Sequence, residues 1–248
     1  MMGSDRKVFF YWHDGWDNAP EIVSICIASF KCHHPQSQVI QLDSHNVHDW
    51  LYDKEVISLC EKFPGMTLAQ RSDLIRLGLL LEHGGIWSDS TILYMQPLDS
   101  WLPEYMHTGF FAFPFSRPNR YVFSNWFLFS EKDHPLLALI KEAYCCALKE
   151  SLQRFRDARD IQYYLFHATV SRILSQDDHK SLAGTLQLYP SRGCSVFNYS
   201  DVSTEKARRL VGKYPLFKLN HPKGKIRKDI LSSPGLRCLL KDMKLLNV

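Results

Sequence analysis

The segment from Thr67 to Tyr94 constrains this chain more than any other. Thr67 and Gln70 fit a T-x-x-Q capping box, Leu68, Leu74, Leu77 and Leu81 supply the apolar faces of the helix that follows, and Gly84-Gly85 stops it. Directly after the stop comes Ile86 to Tyr94 (IWSDSTILY), an apolar run with strand character that carries an acid, Asp89. A long capped helix feeding straight into a buried strand is a building unit of an α/β sheet. An acid in that strand is unexpected.

The rest of the chain repeats the alternation. Residues 7 to 13 (KVFFYWH) read as a first buried strand, Asn18 to His33 as a helix opened by Pro20 and Glu21, and Gln38 to Leu42 as a second strand. Residues 47 to 62 have helical periodicity up to the Phe63-Pro64-Gly65 break. Strands are expected at Gly109 to Phe115 and Phe123 to Phe129, and helices at Pro135 to Lys149 and Asp160 to Leu174. Beyond residue 176 only TLQLYP and PLFKLNH suggest short strands, and the basic end suits a helix or a tail. No repeat or linker divides the 248 residues, so one domain is expected over 1–248, with a core of about 7–130 and an acceptor-side and basic region of about 131–248.

A hydrophobic share of 45% with 23% charged residues excludes a disordered chain. The apolar run at the N-terminus is far shorter than a signal-peptide core, and no window of about 18 apolar residues occurs, which predicts a cytoplasmic protein. Seven cysteines without C-x-x-C spacing suggest neither a zinc site nor a disulfide framework. The net charge is +4, but Lys218, Lys223, Lys225, Arg227, Lys228, Arg237, Lys241 and Lys244 make the last third basic. Such a cluster attracts phosphate on a nucleotide, a lipid headgroup or a nucleic acid, or is simply a solvated surface.

The chemistry concentrates in the capped helix and the strand after it. Asp73 and Arg76 stand three residues apart, which stacks them on one helix face about 5–6 Å apart at Cβ. In isolation such a pair is a surface ion pair worth tenths of a kcal/mol. What changes its meaning is Asp89, because the C-terminal end of a strand in an α/β sheet is where ligands bind. A carboxylate there suits ribose hydroxyls or a divalent cation; the alternative is a turn or N-cap aspartate.

The stretch Ala69 to Ile92, AQRSDLIRLGLLLEHGGIWSDSTI, resembles the signature of DXD-type glycosyltransferases, S-D-x-x-R followed by an apolar helix and then G-G-[IV]-[YW]-x-D-x-[DT]. Within that group it is most similar to the bacterial capsular polysaccharide synthesis family. It is more distantly similar to the large clostridial toxin glucosyltransferases and the yeast-type initiating mannosyltransferases. YWHDGWDNAPEIVSICIASF, SNWFLFSEKDHPLL, YYLFHATV and PLFKLNHP resemble further landmarks of the family, so the likeness runs from about residue 7 to 222.

The resemblance implies a GT-A fold, a Rossmann-like nucleotide-sugar-binding α/β fold whose mixed central sheet is flanked by helices. It also implies a UDP- or GDP-sugar donor, a Mn2+ or Mg2+ cofactor and transfer with retention. Asp73 and Arg76 would then bind donor-sugar hydroxyls, with Asp89 first in the DXD motif and Ser90 beside it. Trp12 matches the aromatic residue that packs on the nucleobase; a core tryptophan is the alternative. The second acid of the motif is Thr91 here, a weaker ligand than a carboxylate, so the metal set would be Asp89, Thr91 and His221.

Negative charge builds on the leaving phosphate and fixed cations must meet it. Lys218, Lys223 and His221 are the candidates for these diphosphate contacts because their segment resembles the family's C-terminal K-L motif, with exposed basic residues as the alternative. Asn125 and Trp126, with Glu131 and Asp133, are candidates for the acceptor side or the metal shell. His167 reads as a core histidine. The expected acceptor is a glycan or lipid-linked glycan at the inner membrane face, approached by the basic end, each nearby Lys or Arg contributing about 1 kcal/mol with anionic lipid. A protein acceptor, as for the toxins, is a second reading. A phosphate-binding module is a third, although no nucleic-acid motif accompanies the basic residues. A dehydrogenase is disfavoured because no G-x-G-x-x-G follows the first strand.

Overall fold

The computed structural model describes residues 6–63, 66–115, 121–154, 163–189, 191, 193–220 and 230–246. Its strands are β1 (Lys7–Tyr11), β2 (Gln38–Leu42), β3 (Gly85–Ser88), β4 (Ile92–Tyr94), β5 (Phe110–Pro114), β6 (Phe123–Ser130), β7 (Leu186–Leu188) and β8 (Leu216–Lys218). The helices are α1 (Glu21–His33), α2 (Lys54–Lys62), α3 (Leu68–His83), α4 (Pro135–Arg154), α5 (Leu165–Leu174), α6 (Lys180–Ala183), α7 (Thr204–Val211) and α8 (Pro234–Asp242). Six strands form one sheet in the order β2-β1-β3-β6-β5-β7, while β4 and β8 pair separately. β1 runs parallel to β2 and β3, and β6 runs antiparallel to both β3 and β5, so the sheet is mixed.

Alternation along the strands builds two cores, one on each face of the sheet. Val8, Phe10, Ile86, Phe111, Phe127 and Phe129 face the side covered by α1, α7, α8 and the β4–β8 pair. Phe9, Tyr11, Ile40, Trp87, Phe110 and Leu128 face the side covered by α2 to α5. This is the helix-flanked mixed sheet that the sequence predicts.

α3 begins where the capping box places it, with the Thr67 hydroxyl and the Gln70 side chain each satisfying the other's backbone N–H. Its end requires glycine twice. Gly84 and Gly85 have φ of 64° and 103°, and a Cβ on Gly85 would lie 2.5 Å from the Lys7 carbonyl oxygen. That close approach lets β3 enter the sheet beside β1 without a longer loop.

Two expectations are corrected by local hydrogen bonding. The helical reading of 47–62 resolves into a 3-10 turn at Val47–Asp49 and α2, because the Asp53 side chain accepts from the N–H groups of Glu55 and Val56 and caps the later start. The strand read through Ile86 to Tyr94 is broken after Ser88. There Ile92 N–H turns back to the Asp89 carbonyl and β4 leaves for its own pairing with β8. At the basic end, α8 is a helix, and 221–229 lie outside the described residues. No described helix is long and apolar enough to cross a membrane.

Candidate active site

Asp89 follows β3 and Trp12 follows β1, so both stand at the C-terminal edge of parallel strands, where an α/β sheet binds its ligands. The Ser90 hydroxyl ties the two strand ends together by donating to the Tyr11 carbonyl at 2.9 Å. α3 lies beneath this edge and brings Asp73 and Arg76 to it.

Arg76 is the hub of the site. Its Nη2 lies 3.3 Å from Asp73 Oδ1 and 3.6 Å from Asp89 Oδ1, its Nε donates to the Ser72 carbonyl at 3.2 Å, and its Nη1 donates to the Asn125 carbonyl. Its guanidinium carbon also sits 4.9 Å from the centre of the Trp87 ring. With only 5% of the side chain exposed and its nitrogens engaged, Arg76 acts as the brace that orients two acids.

The remaining walls come from β6 and β8. Between β5 and β6 the register jumps from Ala112↔Leu128 to Phe113↔Ser124, leaving Asn125, Trp126 and Phe127 in a bulge beside Asp89. There the Asn125 amide donates to Asp73 Oδ1 at 2.7 Å and the Trp126 carbonyl accepts from Asp89 N–H at 2.8 Å. The Trp126 ring stacks on Phe113 at 4.5 Å, a packing role. On the other side the β4–β8 register sets Lys218 opposite Ile92, with Nζ 3.1 Å from Asp89 Oδ2 and 2.5 Å from Thr91 Oγ1.

The two acids titrate apart. Burial pushes the Asp73 carboxyl up to about 7, with the charge of Asp89 adding to the effect and Arg76 opposing it. Burial also works to raise Asp89, but Lys218 and Arg76 overcome it, aided by a 3.0 Å bond from the Trp87 indole, and hold it below the usual carboxylate range. One acid is therefore poised to exchange a proton near neutrality and the other stays ionised.

The structure thus brings together Asp73, Arg76, Asp89, Ser90, Thr91, Asn125 and Lys218, with Trp12 at the margin. The Trp12 indole N–H is buried without a hydrogen-bond partner and its ring packs partly on the core. Lys223 and His221 lie outside the described residues. Glu131 and Asp133 do not join the site: they follow Ser130, which pairs with Gly85 at the N-terminal end of β3, a strand's length away. His167 is buried against Phe115, Tyr121, Tyr164 and Phe166, and burial lowers its pKa to about 4. Sequence reasoning missed Trp87 and Tyr144, whose buried hydroxyl faces Asp73 without a well-aligned hydrogen bond. It also missed Asn198, whose amide donates to the Lys218 carbonyl and whose Oδ1 accepts from Asn220 N–H. Nothing in their local spacing marks these three as site residues.

A divalent cation is implied by the resemblance, and the described donors do not fit one. Among the described residues no group of three or more His, Cys, Asp or Glu could hold a metal ion. The two expected ligands within that range, Asp89 and Thr91, are both bonded to the Lys218 ammonium. A cavity of about 250 Å³ lined by Arg6, His33, His34 and Asp99 lies elsewhere, beside the N-terminal parts of β1 and β3, at the edge away from these groups.

Comparison with known proteins bears on the family and the fold. HOC1 of Saccharomyces cerevisiae, which carries a provisional glycosyltransferase name, is 25% identical over 168 residues, 60% of this chain and 41% of that protein. Among solved structures, the glycosyltransferase GlyE of Streptococcus pneumoniae superposes with a TM-score of 0.55 at 9% identity, over 99% of this chain and 61% of GlyE. The galactosyltransferase LgtC, solved with donor and acceptor sugar analogues, gives 0.50 at 13% identity over 98% of this chain and 96% of LgtC. The chain therefore spans less than half of the yeast relative, and the structural likenesses establish the fold. The family described as capsular polysaccharide synthesis protein matches residues 2–228; the chain belongs to that family, and its fold is the GT-A fold of glycosyltransferases.

Proposed function

We propose that the chain is a glycosyltransferase that moves a sugar from a UDP- or GDP-sugar to a glycan or lipid-linked glycan in bacterial surface-polysaccharide synthesis, with retention at the anomeric carbon. One observation carries the reading. Two acids with opposed proton affinities, a buried guanidinium and a lysine ammonium converge at the C-terminal edge of β3 in a GT-A fold. Transfer leaves negative charge on a diphosphate and builds positive charge at the anomeric carbon. Lys218 faces the former charge, and Asp89 and Asp73 face the latter. Trp12, at the end of β1, is the platform for the base. Arg76 positions the acids, and Asn125 fixes Asp73.

The same reading puts the enzyme at the inner face of the cytoplasmic membrane. Lys206, Arg208, Arg209, Arg237, Lys241 and Lys244 are exposed on or beside α7 and α8, which favours contact with anionic lipid at about 1 kcal/mol per residue. Flotation with anionic liposomes at low salt tests this, and protein left wholly at the bottom of the gradient removes it.

A donor screen tests the function. The pure protein is incubated with UDP- and GDP-sugars, and released nucleotide is measured for wild type and Asp89→Ala. Release from at least one donor, reduced by about 10²-fold or more in the variant, is the expected result. Equal release by both proteins would show that the site is misassigned.

A further inference from the structure

We infer that the Lys218 ammonium occupies the seat that a divalent cation fills in a D-x-D site, so that this chain binds and cleaves its donor without a metal ion. The inference rests on the glycosyltransferase reading and specifies how that site meets the diphosphate.

The first support is place. Lys218 Nζ contacts Asp89 and Thr91, the first and last residues of the Asp89-Ser90-Thr91 motif, at 3.1 and 2.5 Å. Those are the two expected cation ligands within the described residues; the third, His221, lies outside them.

The second support is charge. A D-x-D motif offers two carboxylates to an ion of charge two, whereas this motif offers one carboxylate and a hydroxyl, which suits an ammonium of charge one. Counted formally, Asp73 and Asp89 balance Arg76 and Lys218. A divalent ion added within reach of Asp89 would face the Lys218 ammonium and, through the same carboxylate, the Arg76 guanidinium at 3.6 Å.

The third support is rigidity. Lys218 is 15% exposed and is not a mobile surface lysine. Its backbone N–H donates to the Cys194 carbonyl, and its carbonyl accepts from the Asn198 amide. Leu219 N–H donates to the Thr91 carbonyl, and Asn220 N–H donates to Asn198 Oδ1. Asn198 is fully buried, so the clamp on both sides of the lysine is internal to the fold. The backbone that carries the cation and the backbone that carries the motif are hydrogen-bonded to each other.

An ammonium has three protons. Asp89 and Thr91 take two and the third is left for a phosphate oxygen of the donor. In the transfer step the bond from the anomeric carbon to the β-phosphate oxygen breaks and its electron pair stays on that oxygen. The acceptor hydroxyl oxygen forms the new bond to the anomeric carbon, and its proton passes to the departing nucleoside diphosphate. Lys218 donates a hydrogen bond to the charge left behind and is unchanged at the end.

The test uses the whole chain, wild type and Lys218→Met, with Lys218→Arg as the conservative variant. UDP and GDP binding is measured by calorimetry, and turnover of the preferred donor by nucleotide release, each in excess EDTA and again with Mn2+. Wild type is expected to bind and turn over in EDTA within about threefold of its value with Mn2+. Lys218→Met should lose about 10²- to 10³-fold in turnover in both conditions, the loss typical of removing one preorganised donor, and Lys218→Arg should recover part of it. Wild-type binding or turnover that collapses in EDTA and returns with Mn2+ overturns this inference and leaves the glycosyltransferase reading standing. The wild-type comparison holds whether or not the variants fold. Failure to bind either nucleotide under any condition overturns the donor site itself, and this inference with it.

Discussion

Replacing Asp73 with asparagine separates the contribution of this acid to function from its contribution to stability. Its carboxyl is 10% exposed, and its pKa is raised from 3.8 to about 7, chiefly by burial. An unfolded chain ionises this acid from about pH 4 upward while the folded chain keeps the proton until about pH 7. The stability that the protonated acid contributes is therefore fully present below the lower value and is lost as pH rises through the upper one. That interval, at about 1.4 kcal/mol per pH unit, sets a ceiling of about 4 kcal/mol on the cost of ionising Asp73 in place. The attraction to Arg76 is already contained in that pKa, and asparagine mimics the protonated acid imperfectly, so a net gain of about 1–3 kcal/mol, below the ceiling, is expected at pH 8. Asparagine keeps an oxygen for the Asn125 amide, which at 2.7 Å is the shortest contact to preserve. For a chain of this size that gain corresponds to a melting temperature raised by about 3–8 °C. Differential scanning fluorimetry across pH 5 to 8 should show Asp73→Asn overtaking wild type as pH rises, with donor turnover lost throughout. His167 titrates in both proteins and cancels from the difference. A variant less stable than wild type by the same margin at every pH would refute the reasoning, since Asp73 would then be a net structural ion pair.

Three further outcomes follow from the geometry. Asn198→Ala removes both hydrogen bonds that clamp residues 218 and 220, and should cost about 2–3 kcal/mol in denaturant unfolding while raising the KM for donor more than it lowers kcat. Asp53→Ala removes the cap of α2 and the 2.8 Å pair with Lys141, so it should cost about 1–2 kcal/mol. Although burial opposes ionisation of Asp53, Lys141 and the cap hold its pKa below normal, so that stabilisation should be present above about pH 4 and fade as pH falls, a trend absent from urea midpoints of the variant. Gly85→Ala places a Cβ 2.5 Å from the Lys7 carbonyl at φ 103° and should lower the melting temperature by about 5 °C or more.

The elements legible in the sequence were those specified locally. The capping box and the double glycine bounded α3 because their hydrogen bonds and positive φ values are short-range, and β1 and β2 followed from apolar runs between turn residues. Asp73, Arg76 and Asp89 were legible because one helix and the strand it feeds bring them together. The break after Ser88 was not, since the polar triplet Asp89-Ser90-Thr91 sits between apolar residues and its turn depends on Tyr11, far away in sequence. Glu131 and Asp133 misled because nearness in sequence to Asn125 says nothing about which end of β6 they occupy. Trp87, Tyr144 and Asn198 were hidden for a related reason: each reads as core or loop until α4 is packed against α3 and β8 is paired with β4. Lys218 had a role in the sequence reading, but its partners Asp89 and Thr91 depend on the long-range register of β4 with β8.

The most direct measurement is a crystal structure of the chain with a nucleoside diphosphate or its sugar bound. A diphosphate oxygen within about 3 Å of Lys218 Nζ, with the base beside Trp12 and the sugar over Asp73 and Asp89, is the predicted result. Nucleotide bound instead in the cavity by Arg6, His33 and His34, with the C-terminal edge of β3 left empty, would contradict it.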